Sequence, residues 1–159
     1  MSSEPLAADY QTLIDNSQSL IIASCAENGA ALASYAPFLA FENAFYVYLS
    51  QLAQHTANML RHRQASIMFI EPEADAHNAF ARRRLVLDCT VDEIARQHSA
   101  YEQLLDQMQN RLGDTLGVLR SLPDFHLLAL TPSSGQYVAG FGKAFILKLD
   151  NGVLLPLTP

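Results

Sequence analysis

The sequence predicts a mainly β protein (α+β by content), in which about six to eight antiparallel strands close into a barrel with a few peripheral helices. Three observations lead to this fold class. Short apolar runs with strand periodicity recur along the 159 residues. Turn signals such as Asn28-Gly29 join neighbouring runs, which favours hairpins and antiparallel pairing. A small sheet protects its edges best by closing on itself, and no βαβ rhythm or glycine-rich phosphate loop appears.

The first half of the chain mixes two periodicities. Leu6, Tyr10 and Leu13 fall on one helical face behind a capping Ser3, so the chain opens with a short amphipathic helix. Further along, side chains of different character alternate with a period of two, as in strands whose two faces differ. These patterns predict strands over 20–25, 31–39, 45–50 and 65–70, and a second short helix within 51–63.

The second half begins with a polar loop and returns to strands around a helical segment. The predicted elements are a loop over 71–78, a strand over 85–94, helices over 99–112 and between Gly113 and Pro123, a strand over 125–130, a turn over 132–135, and strands over 136–138 and 144–149. Gly140 and Gly142 stand between the last two strands. Two glycines so close together in a strand region indicate a bulge, a sharp bend or a close backbone approach.

Length and charge narrow the class of protein further. The 159 residues suit a single domain over 1–159. A formal net charge of −6 argues against a nucleic-acid partner, because such binding needs a basic face. No apolar run is long enough for a membrane-spanning helix, and the N-terminus lacks the basic and apolar stretches of a secretory signal. The expected compartment is therefore the cytoplasm.

The cysteines and histidines do not form a metal-binding pattern. Cys25 and Cys89 each lie in a strand-like run and are expected to be buried thiols. His55 and His62 lie two helical turns apart, too far for one metal ion. His126 stands at a strand start. Lone histidines of this kind are more often structural or solvated than ligands, so no protein metal site is predicted.

The segment Arg82-Arg83-Arg84 is the only dense basic cluster in this acidic chain. Strand alternation would put Arg82 and Arg84 on one face and Arg83 on the other. A guanidinium group matches a phosphate or carboxylate edge, so the cluster could anchor an anionic ligand such as a flavin phosphate or a haem propionate. The alternative is a solvated strand end paired with local acids. Residue type alone favours that alternative.

Five segments, taken together and in this order, resemble one family. They read Ser34-Tyr35-Ala36-Pro37-Phe38, Leu49-Ser50-Gln51-Leu52-Ala53-Gln54-His55-Thr56-Ala57-Asn58, Ser66-Ile67-Met68-Phe69-Ile70-Glu71, Phe80-Ala81-Arg82-Arg83-Arg84-Leu85 and Gly140-Phe141-Gly142-Lys143-Ala144. The chain is similar to haem-utilisation proteins within the pyridoxamine 5′-phosphate oxidase-like, FMN-binding split-barrel superfamily. The resemblance covers about residues 19–145 and implies an antiparallel split β-barrel that forms a homodimer through its sheet.

The resemblance also implies a small-molecule cofactor, FMN or haem, at the dimer interface. In flavin-binding relatives the segment after the third strand holds the FMN phosphate. The matching stretch here places Ser50, His55, Thr56 and Asn58 at the cofactor, with Gln54 and His55 where those relatives carry a basic pair. Neutral side chains of this kind offer hydrogen bonds but little charge.

In the haem-utilisation branch, the resemblance places Arg84 near the haem and Asp124 beside the axial histidine. That histidine lies beyond the Gly-Phe-Gly strand in the family. No histidine follows His126 in these 159 residues, so His126 or His55 would have to substitute. Three functions therefore stay open: a haem-binding protein with or without oxidative haem degradation, an FMN-binding oxidoreductase, and a non-enzymatic relative whose site has lapsed.

Overall fold

A computed structural model describes residues 4–157. Four helices are present in this range: α1 (Glu4–Asp15), α2 (Gln54–His62), α3 (Tyr101–Leu112) and α4 (Asp114–Arg120). All four fall where the sequence predicts helix, while the predicted cap Ser3 lies outside the described residues. Within 4–157, no helix is both long and apolar enough to cross a membrane.

The described residues also form nine strands. They are β1 (Ser19–Cys25), β2 (Ala31–Pro37), β3 (Leu39–Phe41), β4 (Ala44–Ser50), β5 (Gln64–Ile70), β6 (Arg84–Ile94), β7 (Phe125–Gly140), β8 (Lys143–Lys148) and β9 (Val153–Pro156). Every pairing is antiparallel, in the order β2-β1-β5-β6-β7-β4-β3, with β8 on the other part of β7 and β9 beside β8. The mainly antiparallel class is confirmed.

The long strand β7 produces the split in the barrel. Its first part, up to Leu130, pairs with β4, and its last part, from Gly135, pairs with β8 on the same side. Within the described residues, no strand pairs on that side with the residues between these two parts, so the sheet opens there. In residues 4–157 the terminal strands β2 and β3 do not pair with each other either. The sheet is therefore an open, split barrel.

Two local predictions are wrong in this part of the chain. The predicted turn over 132–135 is continuous strand, because β7 pairs with β6 from Leu127 to Val138 and takes up one extra residue in a bulge opposite Asp88 and Cys89. The hydroxyl of Ser133 donates to the Asp88 carbonyl, and that of Ser134 to the Asp88 carboxylate, each at 3.0 Å. The sequence also predicts that the chain ends in Asp150-Asn151-Gly152 and a short tail. Instead, the residues after Gly152 fold back as β9, which pairs with β8.

Strand β4 separates two hydrophobic cores. Phe45, Val47 and Leu49 face the barrel interior, where buried residues from β1, β5, β6, β7 and β8 surround them. Tyr48 faces the opposite side and packs, with Leu39 of β3, against α3 and α4. The two helices therefore cover the outer face of β3, β4 and the first part of β7. The rest of the sheet's outer face has no covering element within the described chain.

Strand β1 shows the resulting alternation clearly. Leu20, Ile22 and Ser24 are buried, while Ile21, Ala23 and Cys25 face outward. Cys89 of β6 is buried as predicted, and burial raises the pKa of its thiol to about 12. The expectation of a buried thiol at Cys25 is wrong, because the strand places it on the exposed outer face.

Gly135 marks the closest approach inside the barrel. A Cβ at this position would lie 2.9 Å from Cδ2 of Leu87 and 3.2 Å from Cβ of Leu147, on the two flanking strands. We expect Gly135→Ala to lower the free energy of unfolding by about 2 kcal/mol, because an overfilled core must shift backbone or rotamers. Urea unfolding measures the change. Gly140→Ala is the matched control, since its added Cβ would meet nothing nearer than 4.0 Å; equal losses in both variants would refute the steric explanation.

Candidate ligand-binding site

An apolar row crosses the uncovered outer face of the sheet. The pairings Tyr35–Ile21, Ile21–Met68, Met68–Val86, Val86–Gln136, Gln136–Ile146 and Ile146–Leu155 place one residue from each of seven strands side by side. Six of these seven residues are apolar. Tyr35 is 68% exposed, Ile146 42% and Leu155 44%. An apolar stripe of this length, interrupted within these seven residues at Gln136, is typical of a surface that another molecule covers.

Arg84 lies two residues before Val86 in β6, so it lies beside this row on the same outer face. Its neighbours across the strands are Ile70 and Val138. Its guanidinium donates one hydrogen bond, at 3.1 Å, to the backbone carbonyl of Arg82. No carboxylate of residues 4–157 forms an ion pair with it. Arg84 is thus a half-buried cation with spare donors beside an apolar surface.

The neighbouring Arg83 is used in a different way. Its guanidinium pairs with the carboxylates of Glu71, at 3.1 Å, and of Asp9 on α1. Its backbone N–H also donates to Glu71, at 2.9 Å, and these bonds lower the pKa of the Glu71 carboxyl. The hydroxyl of the buried Tyr137 donates to Asp9. The local acids are therefore engaged by Arg83, which confirms the ion-pair interpretation for Arg83 and leaves the anion-binding interpretation for Arg84.

A second group of predicted residues surrounds the start of α2. The hydroxyl of Ser50, at the end of β4, donates to the Asp124 carboxylate at 3.3 Å and accepts from the Leu52 N–H at 3.1 Å. The hydroxyl of Thr56 donates to the Ser50 carbonyl at 2.7 Å and is buried. These bonds fix the β4–α2 junction against the start of β7.

Two further predicted residues, His55 and Asn58, anchor α2 to the barrel. Nδ1 of His55 lies 2.8 Å from the Ser34 hydroxyl of β2, and burial lowers the pKa of its imidazole, which favours the neutral form at pH 7. The Asn58 amide is buried, donates to the Ser24 hydroxyl at 3.0 Å and accepts from Gln54 at 2.9 Å. Thr56 and Asn58 are thus occupied in holding α2, which leaves Ser50, His55 and Asp124 nearer the surface.

The six predicted residues therefore lie in two places within one chain. Arg84 lies on the outer face of the sheet, and the other five surround α2. The charges around α2 affect whether these five residues could bind an anionic cofactor. The first turn of α2 has no side-chain cap and no acidic residue, which suits an anion. However, the Ser50 hydroxyl is turned toward the Asp124 carboxylate, and a phosphate beside that carboxylate would be repelled.

The second candidate histidine, His126, lies at the start of β7 and is paired with an acid. Its Nδ1 is 2.9 Å from the Glu93 carboxylate. A carboxylate at one ring nitrogen directs the other nitrogen toward a ligand. The hollow beside His126 has a volume of about 260 Å³, below the usual range of cofactor pockets. In the described part of the chain, no cluster of three or more His, Cys, Asp or Glu side chains could hold a metal ion.

The open, antiparallel barrel places this protein in the split-barrel class. The pyridoxamine 5′-phosphate oxidase family model matches residues 6–139, and the chain belongs to this family. Among curated proteins, heme oxygenase HutZ of Vibrio cholerae serotype O1 is 35% identical over 134 residues, which are 84% of this chain and 76% of HutZ.

Solved structures confirm the fold. HutZ from Vibrio cholerae, described as a heme storage protein, superposes with a TM-score of 0.78 at 31% identity, covering 88% of this chain and 96% of HutZ. Campylobacter jejuni ChuZ superposes with a TM-score of 0.87 at 25% identity, covering 99% of this chain and 64% of ChuZ. The predicted relationship to haem-utilisation proteins of the split-barrel superfamily is thus confirmed.

Sequence reasoning missed the apolar row itself. Its members are separated by as many as 134 positions, from Ile21 to Leu155, and only the strand register brings them together. The exposed Phe80 and Phe141 were also noted only as parts of motifs. An alternation count on each predicted strand would have found the outward apolar positions, but not which strands lie side by side.

Proposed function

We propose that this protein binds haem at a homodimer interface formed by the outer face of its sheet. One observation carries the proposal: an unpaired Arg84 stands beside the apolar row in a chain that is 35% identical to a heme oxygenase. The row offers an apolar surface to the macrocycle, and Arg84 offers a charged donor to a propionate. A guanidinium–carboxylate bond at a desolvated margin is among the stronger side-chain hydrogen bonds.

The homodimer part of the proposal rests on the uncovered half-sheet. An apolar stripe across seven strands is too extensive to remain in water without cost, and a second copy of the same face is self-complementary under two-fold symmetry. Such an arrangement lets two chains contribute to one site. Arg84 of one chain and the group of Ser50, His55 and Asp124 in the other are the residues we assign to it, with Thr56 and Asn58 holding α2 in place.

The second part of the proposal is that the protein degrades the haem that it binds. Bound haem would supply the iron chemistry that activates oxygen; the chain would orient the ring, exclude water and supply a side-chain ligand to the iron. His126, with its Glu93 partner, and His55, held by Ser34, are the two candidate ligands. Replacing each by alanine and recording the haem spectrum identifies which one binds the iron. Adding a reductant under air then separates a storage protein, whose Soret band persists, from a haem-degrading enzyme, whose Soret band disappears.

An FMN-binding oxidoreductase is the second candidate. The observation that favours it is the uncapped first turn of α2, which carries no acidic residue. The Ser50–Asp124 bond and the neutral Gln54 and His55 count against a tightly held phosphate. A lapsed, non-enzymatic relative would bind neither cofactor.

The proposal predicts a specific loss of haem affinity in Arg84→Ala. We expect the dissociation constant for hemin, from absorbance titration, to rise roughly tenfold or more, because a charge-assisted hydrogen bond is removed. Arg61→Ala is the matched control, since Arg61 is an exposed arginine paired only with Glu27. Parallel titration with FMN distinguishes the two candidate cofactors. Unchanged hemin affinity in Arg84→Ala would remove Arg84 from the site, and saturable binding of FMN alone would overturn the haem proposal.

A further inference from the structure

The split in the barrel opens a cavity, which we call the split pocket. Its volume is about 440 Å³, within the usual range of small-molecule pockets. It lies between the start of β4 and the end of β8, where the β7 residues from Thr131 to Ser134 have no strand partner on that side within the described chain. It is lined neither by the apolar row nor by any of the six predicted cofactor residues. The split pocket is therefore separate from the proposed haem site.

The inner part of the split pocket is apolar. Four side chains of the barrel core form its walls: Phe45 of β4, Leu85 and Leu87 of β6, and Leu147 of β8. They face the inside of the barrel, whereas the apolar row lies on the outer face of the sheet. Helix α1 closes the pocket over the split and contributes Ile14 to its lining. Such a cleft can take up a hydrocarbon chain or a single ring, because binding there removes apolar surface from water.

The mouth of the split pocket is polar and carries a negative charge. Gln11 of α1, Glu42 and Asn43 are exposed side chains that line it, so the pocket opens to solvent here. Among the described residues that line the pocket, Glu42 is the one charged side chain. Its carboxylate forms no ion pair within residues 4–157. The mouth therefore offers a free carboxylate beside an apolar interior.

The backbone holds Glu42 at this mouth in an unfavourable conformation. Glu42 and Asn43 form the two-residue turn between β3 and β4, and Glu42 has a φ of +54°. Turns of this kind usually have asparagine, aspartate or glycine at a positive φ, because other side chains are strained there. Strained residues of this kind cluster at ligand sites and other functional positions. The strain at Glu42 thus supports a binding role for this turn independently of the cavity.

We infer that the split pocket binds a small cationic amphiphile, such as a primary alkylamine. The apolar body of the ligand lies between Phe45 and Leu147, and its ammonium group pairs with Glu42. The amide oxygens of Gln11 and Asn43 can accept the remaining ammonium protons. Charge selects this class of ligand, because a fatty acid would bring a second carboxylate to Glu42 in a chain whose net charge is already −6. This site needs neither haem nor a second chain, so it goes beyond the proposed function.

Three probes of equal chain length test the charge preference. Octylammonium, octanol and octanoate are each titrated into the full chain by isothermal calorimetry at pH 7. We expect one octylammonium per chain, bound about tenfold more tightly than octanoate. Glu42→Gln should weaken octylammonium binding about fivefold and leave octanol binding unchanged, since only the charge is removed. Glu42→Lys should make octanoate the tighter ligand. Glu73→Gln and Glu73→Lys are the matched controls, because Glu73 is an exposed acid outside the pocket.

Competition with hemin separates this site from the proposed haem site. Saturating octylammonium should leave the hemin affinity of the wild type unchanged, because the two sites share no residue. Displacement of hemin by octylammonium would place the amine in the haem site and overturn the inference, while the proposed function would stand. Three other results would also overturn it: no saturable octylammonium binding, equal affinities for octylammonium and octanoate, or unchanged octylammonium affinity in Glu42→Gln. Failure of the wild type to bind hemin, with octylammonium binding as expected, would overturn only the proposed function.

Discussion

We expect Met68→Glu to prevent formation of the proposed homodimer and leave a monomer. Met68 stands near the middle of the apolar row, between Ile21 and Val86. Two-fold symmetry would bury two new carboxylates in the interface, each without a partner, and uncompensated buried charges are among the most costly substitutions. The dimer dissociation constant should rise at least about 100-fold, which corresponds to about 2.7 kcal/mol. Light scattering at micromolar concentration measures it.

The same variant should lose haem affinity, because the proposed site needs both chains. Val118→Glu serves as the control for adding a carboxylate at an exposed valine outside the row. Circular dichroism on both variants separates loss of the dimer from loss of the fold. A Met68→Glu protein that remains a dimer would contradict the assignment of this face. A monomer that keeps wild-type hemin affinity would instead show that one chain suffices for the site.

Local sequence signals predict the elements of this fold well. Asn28-Gly29 does join two paired strands, and Gly29 has a φ of +85°, as the turn requires. The period-two pattern of β4 predicts two different faces, and the structure places one in the barrel and the other under α3 and α4. Such features are local, so the residues nearby contain all the information needed.

Local sequence signals fail where the structure depends on which strands pair with each other. The stretch from Pro132 to Gly135 has the composition of a turn, yet it continues β7 because β6 runs beside it over its whole length. The end of β2 is broken at Phe38, so one predicted strand becomes β2 and β3. Strand β9 exists because β8 offers it an edge. Long-range hydrogen bonding overrides local propensity in all three places.

At the candidate site, too, local motifs predict some features and long-range packing decides the others. Motif resemblance selects Ser50, His55, Thr56, Asn58, Arg84 and Asp124, and five of them do gather around α2. Strand register and helix docking bury Thr56 and Asn58 at α2. They also place Arg84 on the outer face of the sheet, away from α2. Strand alternation separates Arg83 from Arg82 and Arg84 in the sequence, but it does not show which groups each guanidinium contacts. The structure distinguishes them by what each guanidinium meets.

We expect Arg83→Met to destabilise the fold about as much as Gly135→Ala does. The substitution removes the guanidinium from Glu71, which is buried, and from Asp9 of α1. Glu71 keeps the Arg83 backbone N–H, so the expected loss is roughly 2 kcal/mol, the cost of leaving a buried acceptor short of a partner. Urea unfolding at pH 7 measures it. Arg61→Met, which breaks an exposed pair with Glu27, should cost no more than about 0.5 kcal/mol.

The pH dependence of that loss tests its cause. In the wild type, hydrogen bonds from Arg83 hold the pKa of Glu71 below its ordinary value of 4.5. Its contribution to stability is therefore present above pH 4.5 and is lost as the pH falls through the lowered pKa. In Arg83→Met the guanidinium no longer opposes the effect of burial, so the pKa of Glu71 is higher than in the wild type. As the pH falls, Glu71 of the variant is therefore protonated, and loses its charge, at a higher pH. The stability gap between the two proteins should narrow from pH 7 toward pH 4.

A double variant tests whether the buried charge of Glu71 causes this loss of stability. Glu71→Gln in the Arg83→Met background removes the buried charge that the missing guanidinium leaves behind. It should be more stable at pH 7 than Arg83→Met alone, with little dependence on pH between 4 and 7. An equal or lower stability would mean that Arg83 acts through packing of its side chain instead.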